Sequence, residues 1–127
     1  MKYKAYITTS TNPYENLAME EYLFRFAEPD SHILYLWQNE DTIVLGRNQQ
    51  AEEECRTEEF LASGGTIARR RSGGGAVYHD LGNLNFSIIG TKNNMSKSLY
   101  QSFLTELLEG LGLSPECSGR NDITING

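Results

Sequence analysis

Cysteine is scarce in this chain. The two that occur, Cys55 and Cys117, stand far apart with no CxxC spacing and no matching histidine cluster. They are too few for a disulfide framework or a zinc knuckle. Long apolar runs are missing as well: nothing after Met1-Lys2-Tyr3-Lys4 has the length of a signal peptide, and no segment could span a bilayer. The expected compartment is therefore the cytosol. Positive charge is in short supply, with 11 Lys+Arg against 17 Asp+Glu and a formal net charge of −6. That balance argues against general binding to nucleic acid or to an anionic membrane. Two phosphate-loop spellings are also absent, G-x-G-x-x-G opening a helix and Gly-Lys followed by Ser or Thr.

What remains is an ordinary globular composition, 127 residues with 39% hydrophobic content, enough for one domain with a modest core. Tyr3, Ala5 and Ile7 alternate as a strand would. In Asn12-Pro13-Tyr14-Glu15, Asn12 reads as an N-cap, Pro13 as the first helical residue and Glu15 as the reciprocal capping partner. The helix is expected to run to about Ala27, with Met19, Tyr22, Leu23 and Phe26 on its apolar stripe. The continuous run Ile33–Trp37 suits a strand buried on both faces, with Trp37 as a core residue, and Thr42–Gly46 is a second strand. Glu52 to Ala62 is acidic and loosely helical, and Thr66-Ile67-Ala68 is a strand. Leu84 to Ile89 alternates, with Leu84, Phe86 and Ile88 on one face and largely polar residues on the other. Asn93 to Gly112 carries the clearest helical repeat, and Gly112 is a fitting stop. Ser118 to Asp122 reads as a polar loop and Ile123-Thr124-Ile125 as a strand. Asn126-Gly127 spells a hairpin turn with no second strand after it, so the chain reads as the first part of something longer.

One stretch stands apart: Arg69-Arg70-Arg71-Ser72-Gly73-Gly74-Gly75-Ala76-Val77-Tyr78-His79-Asp80. Three glycines let backbone N–H groups approach a ligand, and arginine forks match carboxylate or phosphate with paired hydrogen bonds. Set between two strands in an acidic chain, the stretch describes a cradle for one small anion. His79 and Asp80 are not a dyad, because neighbours on a strand point to opposite faces. Ser72 lies in no nucleophile elbow and is more credible as a hydroxyl donor. Cys117 reads as a small buried hydrophobe rather than a nucleophile. Asp122 could reach Mg²⁺ through carboxylate and water, though spacing alone favours a turn aspartate. From the residues alone, the reading stops at a cytosolic domain that binds a small anion through backbone amides and arginine.

Arg70 to Ser87 closely resembles the signature block of lipoate–protein ligases. The resemblance extends to Asn12–Ala18, to Leu36-Trp37 with Gly46-Arg47-Asn48-Gln49, and to Ser118–Asp122, in family order along essentially the whole chain. It implies the α/β (α+β) catalytic fold shared by biotin and lipoate ligases, a mixed, largely antiparallel β-sheet with packed helices, of which residues 1–127 would be an incomplete N-terminal part. It implies ATP-dependent activation of lipoate to lipoyl-adenylate, then transfer to a lysine of an acceptor lipoyl domain, as in 2-oxoacid dehydrogenase E2 subunits and the glycine cleavage H protein. Nucleic acid and membrane are not implied partners.

By the same resemblance Arg70, Gly75, Ala76, Val77 and Tyr78 would contact ATP, with Asn83 and Asp122 as polar supports near ATP and Mg²⁺. Trp37, Arg70, Ser72, Gly73, Gly74 and His79 would surround lipoate, Trp37 along the apolar tail. Making an acyl-adenylate brings two anions together, and one positioned donor is typically worth ~3 kcal/mol of barrier in such steps. The family's catalytic lysine lies on the strand that would follow Asn126-Gly127, and Lys2, Lys4, Lys92 and Lys97 match no such position. Residues 1–127 alone are accordingly expected not to ligate lipoate at a useful rate. The alternatives are an octanoyl or lipoyl transferase of the same superfamily, which uses cysteine and no ATP, and a non-catalytic lipoate- or adenylate-binding module.

Overall fold

In the computed structural model, which describes residues 1–93, 95–119 and 122–127, the chain forms two compact units, residues 1–90 and 91–127. The first unit begins with β1 (Lys2–Ile7), α1 (Pro13–Phe26) and β2 (Ser31–Trp37). It continues through β3 (Thr42–Leu45), α2 (Ala51–Glu54), α3 (Thr57–Ala62), β4 (Thr66–Arg69), β5 (Val77–His79) and β6 (Asn85–Ile89). The second unit holds α4 (Lys97–Gly110), β7 (Pro115–Ser118) and β8 (Asp122–Ile125).

Two three-stranded sheets in the first unit share one plan. Each contains a parallel pair joined through helix, plus a third strand running antiparallel. In the order β1-β2-β6, β1 lies parallel to β2 with Lys4 opposite Ile33, and β6 runs antiparallel with Ile89 opposite Ile33. In the order β4-β3-β5, β4 lies parallel to β3 with Leu45 opposite Arg69, and β5 runs antiparallel with Thr42 opposite His79. Parallel neighbours need a crossover, which α1 and the α2–α3 pair supply. In the second unit β7 and β8 are an antiparallel pair.

Helix α1 starts where expected. Asn12 Oδ1 accepts from the amides of Tyr14 (2.9 Å) and Glu15 (3.3 Å). The capping box closes differently from its usual spelling: the Asn12 amide donates to Ser10 Oγ, and Ser10 Oγ in turn donates to Glu15. Of the expected stripe on α1 Leu23 turns inward, together with Asn16, while Met19, Tyr22 and Phe26 are exposed. Strand β2 is buried on one face only. Ser31, Ile33, Tyr35 and Trp37 point inward and the residues between them are half-buried. Leu23, Ile33, Tyr35, Trp37 and Ile89 form the hydrophobic core.

Strand β6 departs most from its pattern. Ile89 is buried and Asn85 and Ser87 are half-buried, while Leu84 and Phe86 are exposed. The polar face turns inward because partners wait there, as the site below shows. The acidic stretch is two short helices broken at Cys55 and Arg56. Helix α4 begins at its N-cap Ser96, which accepts from the Leu99 amide, and is shorter than its repeat. It ends in paired bonds from Gly112 to Glu109 and Leu113 to Leu108, the Schellman pattern. Strand β7 was not legible in the sequence, and Cys117 on it is exposed rather than buried. Asp122 opens β8 instead of lying in a loop, while Asn94, Arg120 and Asn121 of the expected helix and loop lie outside the described residues. Asn126 and Gly127 have φ of 61° and 92°, the signs a two-residue hairpin turn requires. No helix among the described residues is long and apolar enough to cross a membrane.

Candidate active site

The glycine loop, residues 70–76, joins β4 to β5, as its spacing predicts. The three arginines that lead into it, Arg69 to Arg71, are not three free cations. Arg69 Nη1 donates to the carbonyls of Gly46 (3.0 Å), Arg47 (3.4 Å) and Gln49, and knits the turn after β3. Arg71 pairs with Glu21 of α1 at 3.4 Å. Arg70 folds back on its own loop. Its Nε and Nη2 reach Gly73 O at 3.2 and 2.8 Å, Nη2 also reaches Gly75 O at 2.7 Å, and Nη1 reaches Val44 O at 3.2 Å. A guanidinium has five donors, and these four bonds take up four of them among the described residues.

The loop amides follow from this. A trans peptide points its C=O and N–H in opposite directions, and the chain has no cis bond. With the Gly73 and Gly75 carbonyls drawn to Arg70, the amides of Gly74 and Ala76 face away from it. The loop docks closely on the turn after β3: the Arg47 amide donates to Ser72 O at 2.9 Å. A Cβ on Gly46 would stand 2.0 Å from Gly74 O, and Gly74 itself has φ +97°. These two positions must be glycine. Gly73 and Gly75 have open space where a Cβ would stand and need no left-handed backbone, so nothing among the described residues accounts for them. Residues 71–78 are exposed throughout.

Beyond the loop, β5 delivers His79 to the junction of the two sheets. His79 is buried, and its ring meets the edge of Trp37 with centroids 5.9 Å apart. Trp37 stacks on Tyr35 at 6.0 Å and donates from Nε1 to Ser87 Oγ at 3.2 Å, and Ser87 donates to Glu20. His79 Nδ1 lies 3.1 Å from Asn39 Nδ2 and 3.4 Å from Asn85 Nδ2. Burial, and then the Arg70 cation, hold its pKa below the ordinary histidine value. This explains the polar face of β6: Asn85 serves His79 and Ser87 serves Trp37. Glu20 and Asn39 had no signal in spacing or motif, and Asn85 and Ser87 lay in the signature run without an assigned role, because each matters only through a partner far away in sequence.

The other expected residues divide. Val77 is exposed and pairs with Val44 across the sheet. The Tyr78 side chain is committed elsewhere: its hydroxyl donates to Asp41 at 2.6 Å, a bond that raises its pKa, and its ring meets the edge of Phe60. Asp41 lines a cavity of about 300 Å³ with Glu40, Thr11 and Tyr14, and none of the expected ligand residues belongs to it. Asn83 donates to Asn85 Oδ1 at 3.1 Å and so stands one residue behind His79. Asp122 lies in the second unit, exposed at the start of β8. Cys55 Sγ donates to Ala51 O at 3.3 Å. Among the described residues no group of three or more His, Cys, Asp or Glu could hold a metal ion.

Residues 12–127 match the family described as Lipoyl protein ligase A/B catalytic domain. The chain belongs to that family. Its curated relatives include the lipoate-protein ligase A of Blochmanniella floridana, 45% identical over 119 residues, and that of Psychrobacter cryohalolentis, 41% identical over 125 residues. These alignments take in 94% and 98% of this chain but 35% and 37% of the relatives. This lipoyl ligase-family chain thus spans about a third of their length. Among solved structures it is similar to P. falciparum LipL1 in complex with lipoate, with a TM-score of 0.85 and 32% identity over 98% of this chain and 41% of that one. A lipoate-protein ligase A bound with ATP superposes with a TM-score of 0.81 and 32% identity, over 100% of this chain and 54% of that one. A bi-partite lipoate protein ligase from Thermoplasma acidophilum, described with its E2 lipoyl domain, gives a TM-score of 0.81 and 32% identity over 98% and 51%.

Proposed function

We propose that this chain carries lipoate- and ATP-binding parts of a lipoate–protein ligase. A lipoate carboxylate oxygen attacks the α-phosphorus of ATP, pyrophosphate leaves, and lipoyl-adenylate forms. An acceptor lysine amine then attacks the acyl carbon, a proton is lost and AMP departs. The observation that carries the reading is the Arg70 staple. By drawing two loop carbonyls inward it turns the Gly74 and Ala76 amides outward, and a concavity of aligned N–H groups is an anion site. Gly73 and Gly75, with no Cβ and no need among the described residues to lack one, allow a phosphate or carboxylate to close on the backbone. Similar proteins are described with lipoate and with ATP bound.

In this reading Trp37 and His79 flank the acyl side, with Ser72, Gly73 and Gly74 near the carboxyl. Gly75, Ala76 and Val77 follow the nucleotide through backbone. Tyr78, whose hydroxyl is engaged by Asp41, contributes backbone rather than phenol, and Asn83 supports from behind. Mg²⁺ fits here only as a companion of the triphosphate, held by its phosphates, water and at most a lone carboxylate such as Asp122, because no ligand cluster stands among the described residues. The acceptors are lipoyl domains of the kind found in E2 subunits and the H protein, and the setting is the cytosol.

Two measurements test this. In the intact protein, ATP and lipoate together should release pyrophosphate, and neither should do so alone. Acyl transfer without ATP would mean a transferase instead. In this chain Arg70→Ala should abolish calorimetric binding of a lipoyl-adenylate analogue. Undiminished binding by a folded R70A protein would overturn the assignment.

A further inference from the structure

Helix α1 places two polar side chains, Asn16 and Glu20, one turn apart beneath the two rings of the site. Glu20 acts on Trp37 through Ser87, and Asn16 acts on His79 through Asn39. The second chain of contacts has a definite polarity. Asn16 Nδ2 lies 3.0 Å from Ser10 O and 2.8 Å from Gln38 O. Carbonyls only accept, so this atom is the amide nitrogen and the orientation of Asn16 is fixed. The same nitrogen shares its two protons with Asn39 Oδ1 at 3.0 Å, and because an NH₂ turned to it there would set donor against donor, Asn39 is fixed in turn. What Asn39 offers His79 Nδ1 is therefore its NH₂, a donor only. Asn85, whose Oδ1 accepts from Asn83, sets its Nδ2 3.4 Å from the same ring nitrogen. With the fixed Asn39 donor set on it, that ring nitrogen must hold a lone pair. Asn16 and Asn39 are 1% and 0% exposed, so water does not compete for these bonds.

We propose that Asn16 and Asn39 are positioning residues that lock His79 as a neutral imidazole with its proton on Nε2. The ring then meets its surroundings with one uncharged donor and can act neither as a cation nor as a base at that atom. Among the described residues no protein group pairs with Nε2. On the reading of the preceding section, that N–H is the one available to the lipoyl carboxyl or its adenylate. A neutral donor holds the acyl oxygen without an ion pair that would favour free lipoate over the activated ester. The charged groups around the ring are Arg70 from the loop, Glu20 from α1 through Ser87 and Trp37, and Asp80 next in β5's chain direction. Burial and Arg70 both act against a second proton.

The test is long-range ¹H–¹⁵N NMR of the imidazoles in the 127-residue chain. There are two histidines, and His32→Gln assigns the spectrum. His79 should show a pyrrole-type Nε2 and a pyridine-type Nδ1 at pH 7, with a titration midpoint below the ordinary 6.5. Asn39→Asp, the same shape with an acceptor in place of the donor, should move the proton to Nδ1. It should also raise the midpoint by at least about one unit, a tenfold gain in proton affinity. Asn16→Ala should blur the tautomer by freeing Asn39. A wild-type ring protonated on Nδ1, or titrating at 6.5 or above, overturns the proposal, and so does a folded N39D chain with unchanged imidazole signals. If N39D does not fold, the wild-type spectrum decides. Adding lipoate should shift the Nε2 signal. A locked tautomer that ignores lipoate would leave the relay standing and remove His79 from the lipoate site, so the two failures are distinct.

Discussion

Four glycines near the loop do two different jobs, and single substitutions separate them. Gly46 and Gly74 are demanded by the chain itself: a Cβ at Gly46 collides with Gly74 O at 2.0 Å, backbone against backbone. Gly46→Ala should therefore cost about 1–3 kcal/mol, in the range of overpacked sites, and should expose the Arg47 amide to exchange by loosening its bond to Ser72. Denaturant midpoints and hydrogen exchange report both. Gly73→Ala meets open space, and its stability should stay within about 0.5 kcal/mol of wild type while lipoyl-adenylate affinity falls. Equal stability losses at both positions would refute the division.

Tyr35 gives the residue scale its pH signature. Burial, with a smaller push from Glu20, raises its phenol to about 12. Its hydroxyl faces the backbone and side-chain oxygens of Asn16, at 3.3 and 3.4 Å, which welcome a proton and repel a phenolate. The folded state thus prefers the neutral form. Its contribution is complete below the unfolded value of 10.0 and is lost as pH rises from there toward about 12. Spectrophotometric titration should show one of the seven tyrosines ionising last, together with unfolding. A Tyr35 that ionises with the exposed tyrosines would count against the packing described.

At the scale of elements, α1 is the piece on which the site rests. It starts on Asn12, fixes Trp37 and His79 through Glu20 and Asn16, and anchors Arg71 through Glu21. Removing its cap with Asn12→Ala should lower stability by about 1 kcal/mol. Because Asn16 and Glu20 lie within its first two turns, fraying there should also perturb the Trp37 environment. A fluorescence change that runs ahead of global unfolding in denaturant would show this. A stability loss with Trp37 emission unmoved would mean the clamp holds without its cap.

At the scale of the molecule, stability concentrates in a small core. Leu23 of α1 packs with Ile33, Tyr35, Trp37 and Ile89 of the first sheet. Leu23→Ala should cost about 2–5 kcal/mol, the usual range for a buried leucine. Domains of ordinary stability have only about 5–15 kcal/mol in all, so this change should move the denaturant midpoint more than any surface substitution. A shift below 1 kcal/mol would place the true core elsewhere. Many large apolar side chains stay exposed, Tyr22 and Phe26 on α1 and Leu107 and Leu111 at the end of α4 among them.

Local grammar was written in the sequence by itself. The Asn12-Pro13 start, the Gly112 stop, the glycine loop between strands and the positive φ at Asn126 and Gly127 depend on neighbours within a few residues, where backbone sterics and capping leave few choices. The family, too, was legible in the run from Arg70 to Ser87. Tertiary structure alone decided what each polar group would face. Arg69, Arg70 and Arg71 looked alike as a triplet, yet they hold a turn, a loop and a helix. Strand β6 hides its polar side because Trp37 and His79 stand opposite. The proton on His79 is set by Asn39, 40 residues away, which is itself set by Asn16 another 23 distant. Periodicity records which face a side chain occupies along one element. It carries no record of which strand will lie beside it, and hydrogen-bond polarity is settled only there.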